Sequence, residues 1–462
     1  MQRDGAGPTN GGVSFWWRQL GTPAPRPPLP GSTDADVCIV GAGYTGLWTA
    51  YHLKRERPEL AVVVLEARFA GFGASGRNGG WLTNSVTGGR EQYVRGGDRG
   101  PAIAQQRALN ASVDEVIAVA EREGIDAGIA RGGELEVARN AAQLARLRAR
   151  AAAEATWPDT DVVELDAVAT TARVAVAGAV GALWHPHCAT LHPARLVSGL
   201  AAAVERLGVT IHEDTTVTAI EEGRARTERG DVRARYVIRA TEGFTPGLHG
   251  ERRTLLPMNS SLVVTEPLPA DVWDHIGWRG REALGDGAHA YIYAQRTADD
   301  RIAFGGRGVP YRYGSRTDTD GATQPATITA LTGLLRTFFP AARDAAIDHA
   351  WCGVLGVPRD WSASVGLDPR TGLGWAGGYV GTGVTATHLA GQTLADLVLG
   401  RDTELTRLPW VGHRARRWEP EPLRWLGVQA LYRAYHAADR QEASGRSTTS
   451  PLARAADVVA GR

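Results

Sequence analysis

The sequence predicts an α/β protein in which a parallel sheet covered on both faces is joined to an antiparallel sheet. Residues 37–40 and 61–65 are short, continuous apolar runs, and residues 44–57 between them have helical character. Such runs are typical of parallel strands buried on both sides. From residue 251 onward the pattern changes to short strands separated by tight turns, which indicates an antiparallel sheet.

Later segments extend both parts of this prediction. A helix opens at Pro193, which suits a first helical position, and closes at Gly208. Further strands are expected at 209–211 and 235–241 beside the parallel sheet, and at 262–265, 291–294 and 301–304 in the antiparallel one. A glycine-rich strand-then-helix pattern returns from 351 to 400, so the first domain is expected to be discontinuous.

Composition narrows the possible functions. The chain has 462 residues, 51 basic against 50 acidic, and a formal charge of +1. This balance gives no basic field for nucleic acid or an anionic membrane, so we expect a small-molecule partner. Three cysteines, no signal-peptide pattern and no apolar run long enough to span a bilayer predict a cytoplasmic protein.

The first 33 residues predict an N-terminal arm. They are rich in glycine and proline and carry Phe15, Trp16 and Trp17. Large apolar side chains on an arm indicate that it packs onto the body of the protein or onto a partner.

A glycine loop follows the first strand. Gly41, Gly43 and Gly46 suit a tight turn, the approach of a diphosphate, and close packing of helix on strand, respectively. The helix N-terminus attracts phosphate, and Glu66 at the end of the second strand suits the ribose hydroxyls. A purely structural glycine turn is the alternative, but the strand–loop–helix context favours a dinucleotide.

The segment 70–81 favours FAD over a nicotinamide cofactor. Its glycines allow the backbone to run along an extended ligand, and it includes Arg77, Asn78 and Trp81, which a flexible surface loop would not explain.

On these motifs the sequence resembles the FAD-dependent D-amino-acid oxidase superfamily, in particular its γ-glutamylputrescine oxidase-like and glycine oxidase-like branch. The resemblance rests on the run GFGASGRNGG at 71–80, LHPARL at 191–196, TTV at 215–217, GGRG at 305–308 and GGYVGTGV at 377–384. It implies a Rossmann-like, glutathione-reductase-like FAD-binding domain with an inserted antiparallel substrate domain.

The expected domain boundaries follow from this resemblance. The arm covers 1–33 and a C-terminal tail, which could be frayed, covers 441–462. The FAD-binding domain takes 34–100, 155–250 and 351–440, and the substrate domain takes 101–154 and 251–350.

Motif and resemblance together imply a set of FAD-binding residues. The last glycine turn is expected to wrap the flavin ring, with the following helix N-terminus near the ring carbonyl. The expected residues are Gly41, Gly43, Tyr44, Thr45, Gly46, Glu66, Ala67, Arg68, Gly73, Ala74, Ser75, Arg77, Asn78, Gly79, Gly80, Trp81, Val217, Ala240, Thr241, Gly353, Gly378, Gly381, Thr382, Gly383 and Val384.

Two departures from relatives bear on the chemistry. Some relatives attach FAD through a cysteine, and Cys352 is one residue away from that position, so we expect noncovalent FAD. Others activate oxygen with a lysine, but the only lysine here is Lys54 in the first helix. The electron acceptor is therefore either oxygen, activated by another cation, or a different molecule.

The implied reaction is oxidation of a C–N bond of a small amine or amino acid to an imine. A flavin monooxygenase and a flavin-binding subunit of a hetero-oligomeric dehydrogenase remain alternatives. Pyridoxal chemistry is disfavoured because Lys54 lies in a predicted surface helix.

Three residues are candidates for the substrate site. Tyr291 and Tyr293 alternate on a predicted strand and share one face, either in the core or on a pocket wall. Arg307 follows Gly305-Gly306, which would let the strand approach a ligand. Arg307 either binds a substrate carboxylate or forms a structural ion pair.

Two further groups receive structural interpretations. Glu242 is expected in a solvated turn, with contact to a cationic substrate as the alternative. The residues His185, His187, Cys188 and His192 are interrupted by prolines and lack zinc-like spacing, so no metal is predicted.

Overall fold

The computed structural model describes residues 7–94, 96–306, 308, 310–317 and 320–460. Within these ranges the helices are α1 (Phe15–Leu20), α2 (Tyr44–Glu56), α3 (Gly100–Arg122), α4 (Ala141–Glu154), α5 (Ala167–Arg173), α6 (Pro193–Arg206), α7 (Ala270–Ile276), α8 (Pro325–Phe338), α9 (Gly383–Val398), α10 (Leu423–Ala443) and α11 (Pro451–Ala460).

The strands in the same ranges are β1 (Thr9–Asn10), β2 (Thr33–Val40), β3 (Val62–Leu65), β4 (Trp81–Thr83), β5 (Glu134–Ala138), β6 (Val163–Asp166), β7 (Gly181–His185), β8 (Cys188–Thr190), β9 (Thr210–His212), β10 (Val217–Glu221), β11 (Arg224–Thr227), β12 (Gly230–Arg239), β13 (Leu256–Thr265), β14 (Ala283–Asp286), β15 (Ile292–Arg296), β16 (Ile302–Gly306), β17 (Ile347–Val357), β18 (Ser364–Asp368) and β19 (Leu373–Gly377).

The predicted α/β class with a parallel sheet is confirmed. Strand β2 pairs in parallel with β3 and β12, β3 pairs with β9, and β19 joins the carboxyl end of β12. Helices α2 and α9 pack against one another over this sheet, and their contact is fully buried around Trp48. Because β2, β3 and β12 run parallel, their carboxyl ends lie at one common edge of the sheet.

The second sheet runs β1-β17-β13-β16-β15-β14-β5-β7-β6 among the described residues. Its long central pair, β13 with β17, is antiparallel over ten residue pairs. Apolar residues of α7 and α8, including Trp273 and Leu331, pack on one face and form a separate core with Phe304. The predicted antiparallel sheet is thus present, although β14 pairs with β5 in parallel.

The observed sheets do not follow the domain boundaries expected from the sequence. Strands β6 and β7 pair within the second sheet, although the sequence prediction placed 155–250 with the parallel one. Helix α3, predicted to belong to the substrate domain, packs instead on α9. Local apolar pattern does not identify a distant pairing partner, which is why these assignments differ.

Described segments near both termini pack onto the body of the protein. The arm contains α1, whose Phe15, Trp16 and Trp17 are buried, and β1 pairs with β17. The expectation of a frayed C-terminal tail is wrong for 451–460, where α11 packs against α10 through Tyr435, Ala453 and Ala456. In the described part of the chain, no helix combines the length and apolarity needed to cross a membrane.

Candidate active site

A cavity of about 390 Å³ opens at the carboxyl edge of the parallel sheet. Its wall contains Gly41 after β2, Glu66 after β3 and Ala240 after β12. Ligands of open α/β sheets bind at this edge, because the strand ends and helix N-termini converge there.

The glycine loop has the geometry that a diphosphate needs. Gly41 has φ of +109°, which favours glycine, and a Cβ on Gly46 would overlap the Gly41 carbonyl oxygen. At the start of α2 the Tyr44 N–H donates to the Ser75 hydroxyl at 2.8 Å. The N-cap residue of α2 is Gly43, which makes no side-chain capping hydrogen bond, and the first turn of α2 has no acidic residue. The positive end of the helix dipole is therefore not neutralised by a carboxylate of that turn.

Glu66 is held by backbone groups at the edge of this cavity. Its two carboxylate oxygens accept the N–H groups of Ala42 at 2.9 Å and Arg68 at 3.0 Å. Burial raises the pKa of Glu66, and these two N–H groups act in the opposite direction. The carboxyl group is fixed in orientation and still lines the cavity.

The structure brings most of the predicted FAD-binding residues to this cavity. The predicted residues in its wall are Gly41, Gly43, Tyr44, Thr45, Glu66, Ala67, Arg68, Gly73, Ala74, Ser75, Asn78, Val217, Ala240, Thr241, Gly381, Gly383 and Val384. Five others line a second cavity: Arg77, Gly79, Trp81, Gly353 and Thr382. Gly46, Gly80 and Gly378 line neither.

The second cavity, about 540 Å³, adjoins the first. The two share five wall residues, which are Ala74, Asn78, Leu355, Gly381 and Val384. An elongated ligand can therefore extend from the glycine loop to the boundary of a chamber that lies beside the second sheet.

The two predicted tyrosines both line the second cavity. Tyr293 lies on β15, and its hydroxyl is 2.8 Å from the Ser260 hydroxyl on β13. Its ring meets Trp81 edge-on at 6.3 Å. Tyr291 precedes β15 and is 36% exposed, so it lies nearer the solvent.

Gly305 has a different role from the one predicted. A Cβ at this position would overlap the Tyr293 ring, so the glycine makes room for a side chain of the protein itself. The expectation that the Gly305-Gly306 pair admits a ligand is corrected in this respect. Arg307 lies outside the described residues, and its role stays a prediction.

The far wall of the second cavity carries charged side chains that the sequence analysis did not select. Glu136 on β5 forms an ion pair with Arg150 of α4. Glu134, two residues earlier, accepts a 2.7 Å hydrogen bond from Thr83 and has a lowered pKa because of its neighbours His185 and Thr83. Residues two apart on a strand point to the same face, so Glu134 and Glu136 lie on one face of β5. This spacing is the sequence feature that could have identified them.

Asp286 at the end of β14 also belongs to this wall. Its carboxylate accepts the Ile292 N–H at 2.9 Å and is only 7% exposed. Burial raises its pKa to about 7, with a smaller contribution from nearby Glu136. No local motif marks Asp286, because β14 reaches the cavity only by pairing with β5 and β15.

Buried Arg77 lies in the wall of the second cavity. Its Nε donates to the Phe72 carbonyl at 2.8 Å, and its guanidinium lies 4.4 Å from the centre of the Phe72 ring. The side chain is 1% exposed and lines the second cavity. It therefore brings a positive charge to the wall from the glycine-rich segment.

Glu242 does not lie in a solvated turn, which corrects the prediction. Its carboxylate lines the first cavity and accepts the N–H groups of Gly378 at 2.8 Å and Gly356 at 3.2 Å. Burial raises its pKa to about 7. The residues around Glu242 in the sequence do not indicate these contacts, because both hydrogen-bond partners are more than a hundred residues away.

The histidines near 190 make separate contacts. His187 lies 2.7 Å from Asp161, His185 lies 3.5 Å from Glu134, and the His192 side chain caps α6. Among the described residues, the side chains close enough to share an ion are His289, Asp439 and Glu442. The guanidinium of Arg146 lies 3.0 Å from Glu442, so Arg146 already supplies a positive charge at this cluster.

The fold and the cavity at the carboxyl edge of the parallel sheet are those of a dinucleotide-binding protein. The family model described as "DAO: FAD dependent oxidoreductase" matches residues 36–397. The chain belongs to this DAO family and is an FAD-dependent oxidoreductase.

Known proteins agree with this assignment. The chain is 33% identical to gamma-glutamylputrescine oxidoreductase of Escherichia coli (strain K12), over 85% of this chain and 92% of that protein. It is 24% identical to glycine oxidase of Geobacillus kaustophilus, over 81% and 96%. The crystal structure of glycine oxidase from Geobacillus kaustophilus has a TM-score of 0.68 at 20% identity, covering 82% of this chain and 99% of that one.

The residues present fit FAD. A loop with an unneutralised helix N-terminus suits the diphosphate, and Glu66 lines the cavity with a carboxylate that can accept ribose hydroxyls. The shared wall of the two cavities would place the other end of a dinucleotide beside the second chamber.

Proposed function

We propose that this protein oxidises a C–N bond of a small amine or amino acid to an imine, using noncovalent FAD. The observation that carries the proposal is the shared wall of the two cavities, at Ala74, Asn78, Leu355, Gly381 and Val384. A chamber with charged and tyrosine side chains at the end of the dinucleotide cavity suits a small polar substrate. The relatives named above act on an amine or on glycine, according to their names.

Different groups of the predicted residues would bind different parts of FAD. The loop at Gly41–Gly46 and Ser75 would receive the diphosphate, and Glu66 the adenosine ribose. Val217 would lie at the adenine end, and the turn at Gly381–Val384 at the ring end. When bound, FAD would supply the oxidising chemistry, as the acceptor of a hydride equivalent from the substrate carbon next to nitrogen.

The chain's own residues bind and orient the substrate. Tyr293 and Trp81 form an amphipathic wall, and the Ser260–Tyr293 hydrogen bond fixes the hydroxyl. An amine must be neutral when its C–H bond is broken, and its proton can pass to solvent or to a carboxylate of the wall. Water then hydrolyses the imine to a carbonyl compound and ammonia or an amine. Arg307 remains the proposed anchor for a substrate carboxylate.

The position of Cys352 supports noncovalent FAD. Its thiol donates to the Ala322 carbonyl at 3.4 Å, whereas the adjacent Gly353 lines the second cavity. Neighbouring residues of a strand face opposite sides, so the thiol points away from the cavity. Denaturing the purified yellow protein should release intact FAD, and flavin retained on the polypeptide would contradict this part of the proposal.

Anaerobic flavin bleaching tests the reaction. The protein is mixed without oxygen with a panel of primary amines, secondary amines, amino acids and N-methyl amino acids. We expect one class to reduce the flavin rapidly and saturably. Bleaching by none of them, but by a reduced nicotinamide in the presence of an aromatic compound, would indicate the monooxygenase class instead. The electron acceptor is then identified by reoxidising the reduced protein with oxygen or with artificial acceptors.

A further inference from the structure

Glu242 ties together three segments around the dinucleotide cavity. It follows β12 in a short helical turn, with φ of +40°, a conformation that non-glycine residues rarely adopt. One carboxylate oxygen accepts the N–H of Gly356 on β17, and the other accepts the N–H of Gly378 before α9. A Cβ on Gly377 would lie 2.7 Å from this carboxylate, so the turn is shaped around Glu242.

Glu242 lies between the two ends of the dinucleotide cavity. Ala240, two residues earlier, lies against the glycine loop: a Cβ on Gly41 would be 2.6 Å from the Ala240 carbonyl oxygen. On the other side, Glu242 contacts the turn that leads to Gly381 and Gly383, which also line the cavity. If the diphosphate of a dinucleotide lies at the glycine loop, the part of the ligand nearest Glu242 would therefore be the diphosphate–ribityl stretch.

An ionised carboxylate is unfavourable at this point of the cavity. The diphosphate is an anion, and two like charges in a buried site repel strongly. The Glu242 carboxyl accepts backbone N–H groups of Gly356, Gly378 and Tyr379. A carboxyl group offers about four acceptor positions, so one position is left for a proton without loss of these bonds. Burial raises the pKa of Glu242 to about 7, which makes the neutral acid accessible under ordinary conditions.

We propose that Glu242 is a positioning residue that binds FAD as a neutral acid, donating its O–H to an oxygen of the diphosphate–ribityl stretch. FAD binding above neutral pH is then coupled to the uptake of one proton. The inference concerns the cofactor alone and does not depend on which substrate is oxidised.

Few other charges face Glu242 among the described residues. Arg239 on β12 pairs with Glu251, and Tyr379 after Gly378 has a raised pKa because it is buried. Residues 353–357 of β17 and 256–265 of β13 contribute no titratable side chain. Glu66 lines the same cavity and has a raised pKa as well, so it is a competing source of a pH effect within this cavity.

Equilibrium dialysis of the flavin-loaded protein between pH 6 and 8.5 tests the coupling. The FAD dissociation constant of the wild type should rise about tenfold from pH 6 to pH 8, as expected for one proton bound with the ligand. In Glu242→Gln the pH dependence should be lost, because the amide does not titrate. In Glu66→Gln, the matched control, the pH dependence should persist.

Two results would overturn the proposal: a wild-type dissociation constant that is independent of pH, or a pH dependence that survives in Glu242→Gln, whether or not Glu66→Gln also keeps it. If Glu242→Gln does not fold, calorimetry on the wild type decides. FAD binding at pH 8, measured in buffers of different ionisation enthalpy, should take up close to one proton per flavin. Uptake of none contradicts the role of Glu242.

Discussion

The dinucleotide cavity and the second cavity adjoin but are built differently. The first is formed largely by turns and backbone at strand ends, such as Gly41, Ala240 and Gly381. The second is formed by side chains on strands and helices, including Glu136, Arg150 and Tyr293. Backbone recognises the constant parts of a cofactor, whereas side chains can change with the substrate. Substitutions in the first cavity should therefore affect flavin binding, and those in the second should affect substrate turnover.

The largest effect is expected at the glycine loop. Gly46→Ala places a Cβ against the Gly41 carbonyl and Ile39. Because a backbone atom cannot move aside cheaply, we expect a loss of stability of at least about 1–3 kcal/mol together with loss of bound flavin.

Gly333→Ala is the control for this substitution, since Gly333 is also helical and a Cβ at that position would have no atom within 4 Å. It should raise stability by about 0.4–1 kcal/mol. Thermal unfolding and flavin absorbance of both variants provide the measurement. A Gly46→Ala protein with normal flavin content would show that helix and loop are not packed as described.

Removal of the ribose partner should have the next largest effect. Glu66→Ala is expected to weaken FAD binding by about 1.5–3 kcal/mol per lost charge-assisted hydrogen bond. The exposed Glu222→Ala should bind FAD like the wild type. Unchanged FAD affinity in Glu66→Ala would mean that Glu66 serves only its backbone partners Ala42 and Arg68.

Asp286 provides a pH-dependent comparison within the second cavity. The pKa of this carboxyl is higher in the folded protein, about 7, than in an unfolded chain, so its contribution to stability is present at low pH and is lost as pH rises toward 7. Asp286→Asn should therefore be stabilising relative to wild type at pH 8 and much less so at pH 4. The exposed Asp344→Asn should show no such difference.

Chemical unfolding at the two pH values measures this effect. Equal differences between Asp286→Asn and wild type at pH 4 and pH 8 would rule out a buried carboxyl with a raised pKa. Flavin content should stay normal in Asp286→Asn if the two cavities act separately.

The smallest effect is expected at Tyr293. Tyr293→Phe removes the hydroxyl bonded to Ser260 and keeps the ring beside Trp81. A neutral hydrogen bond contributes about 0.5–1.5 kcal/mol, so we expect a modest fall in the rate of flavin reduction and unchanged FAD binding. The exposed Tyr313→Phe serves as the control. A loss of FAD binding in Tyr293→Phe would contradict the division between the cavities.

The same division explains what the sequence could predict. The glycine loop, Glu66 and segment 70–81 lie close together in the chain, and their spacing alone indicates their geometry. Glu242 and Asp286 reach their cavities through pairing with strands far away in sequence, so no local pattern identifies them. The positions of β6 and β7 were misassigned for the same reason.

The most direct test of the proposed reaction is a single anaerobic turnover with product analysis. An amine or amino acid that bleaches the flavin should yield one equivalent of a carbonyl product, with ammonia or an amine, for each flavin reduced. Flavin reduction without cleavage of a C–N bond, or a hydroxylated product that needs oxygen, would contradict the account.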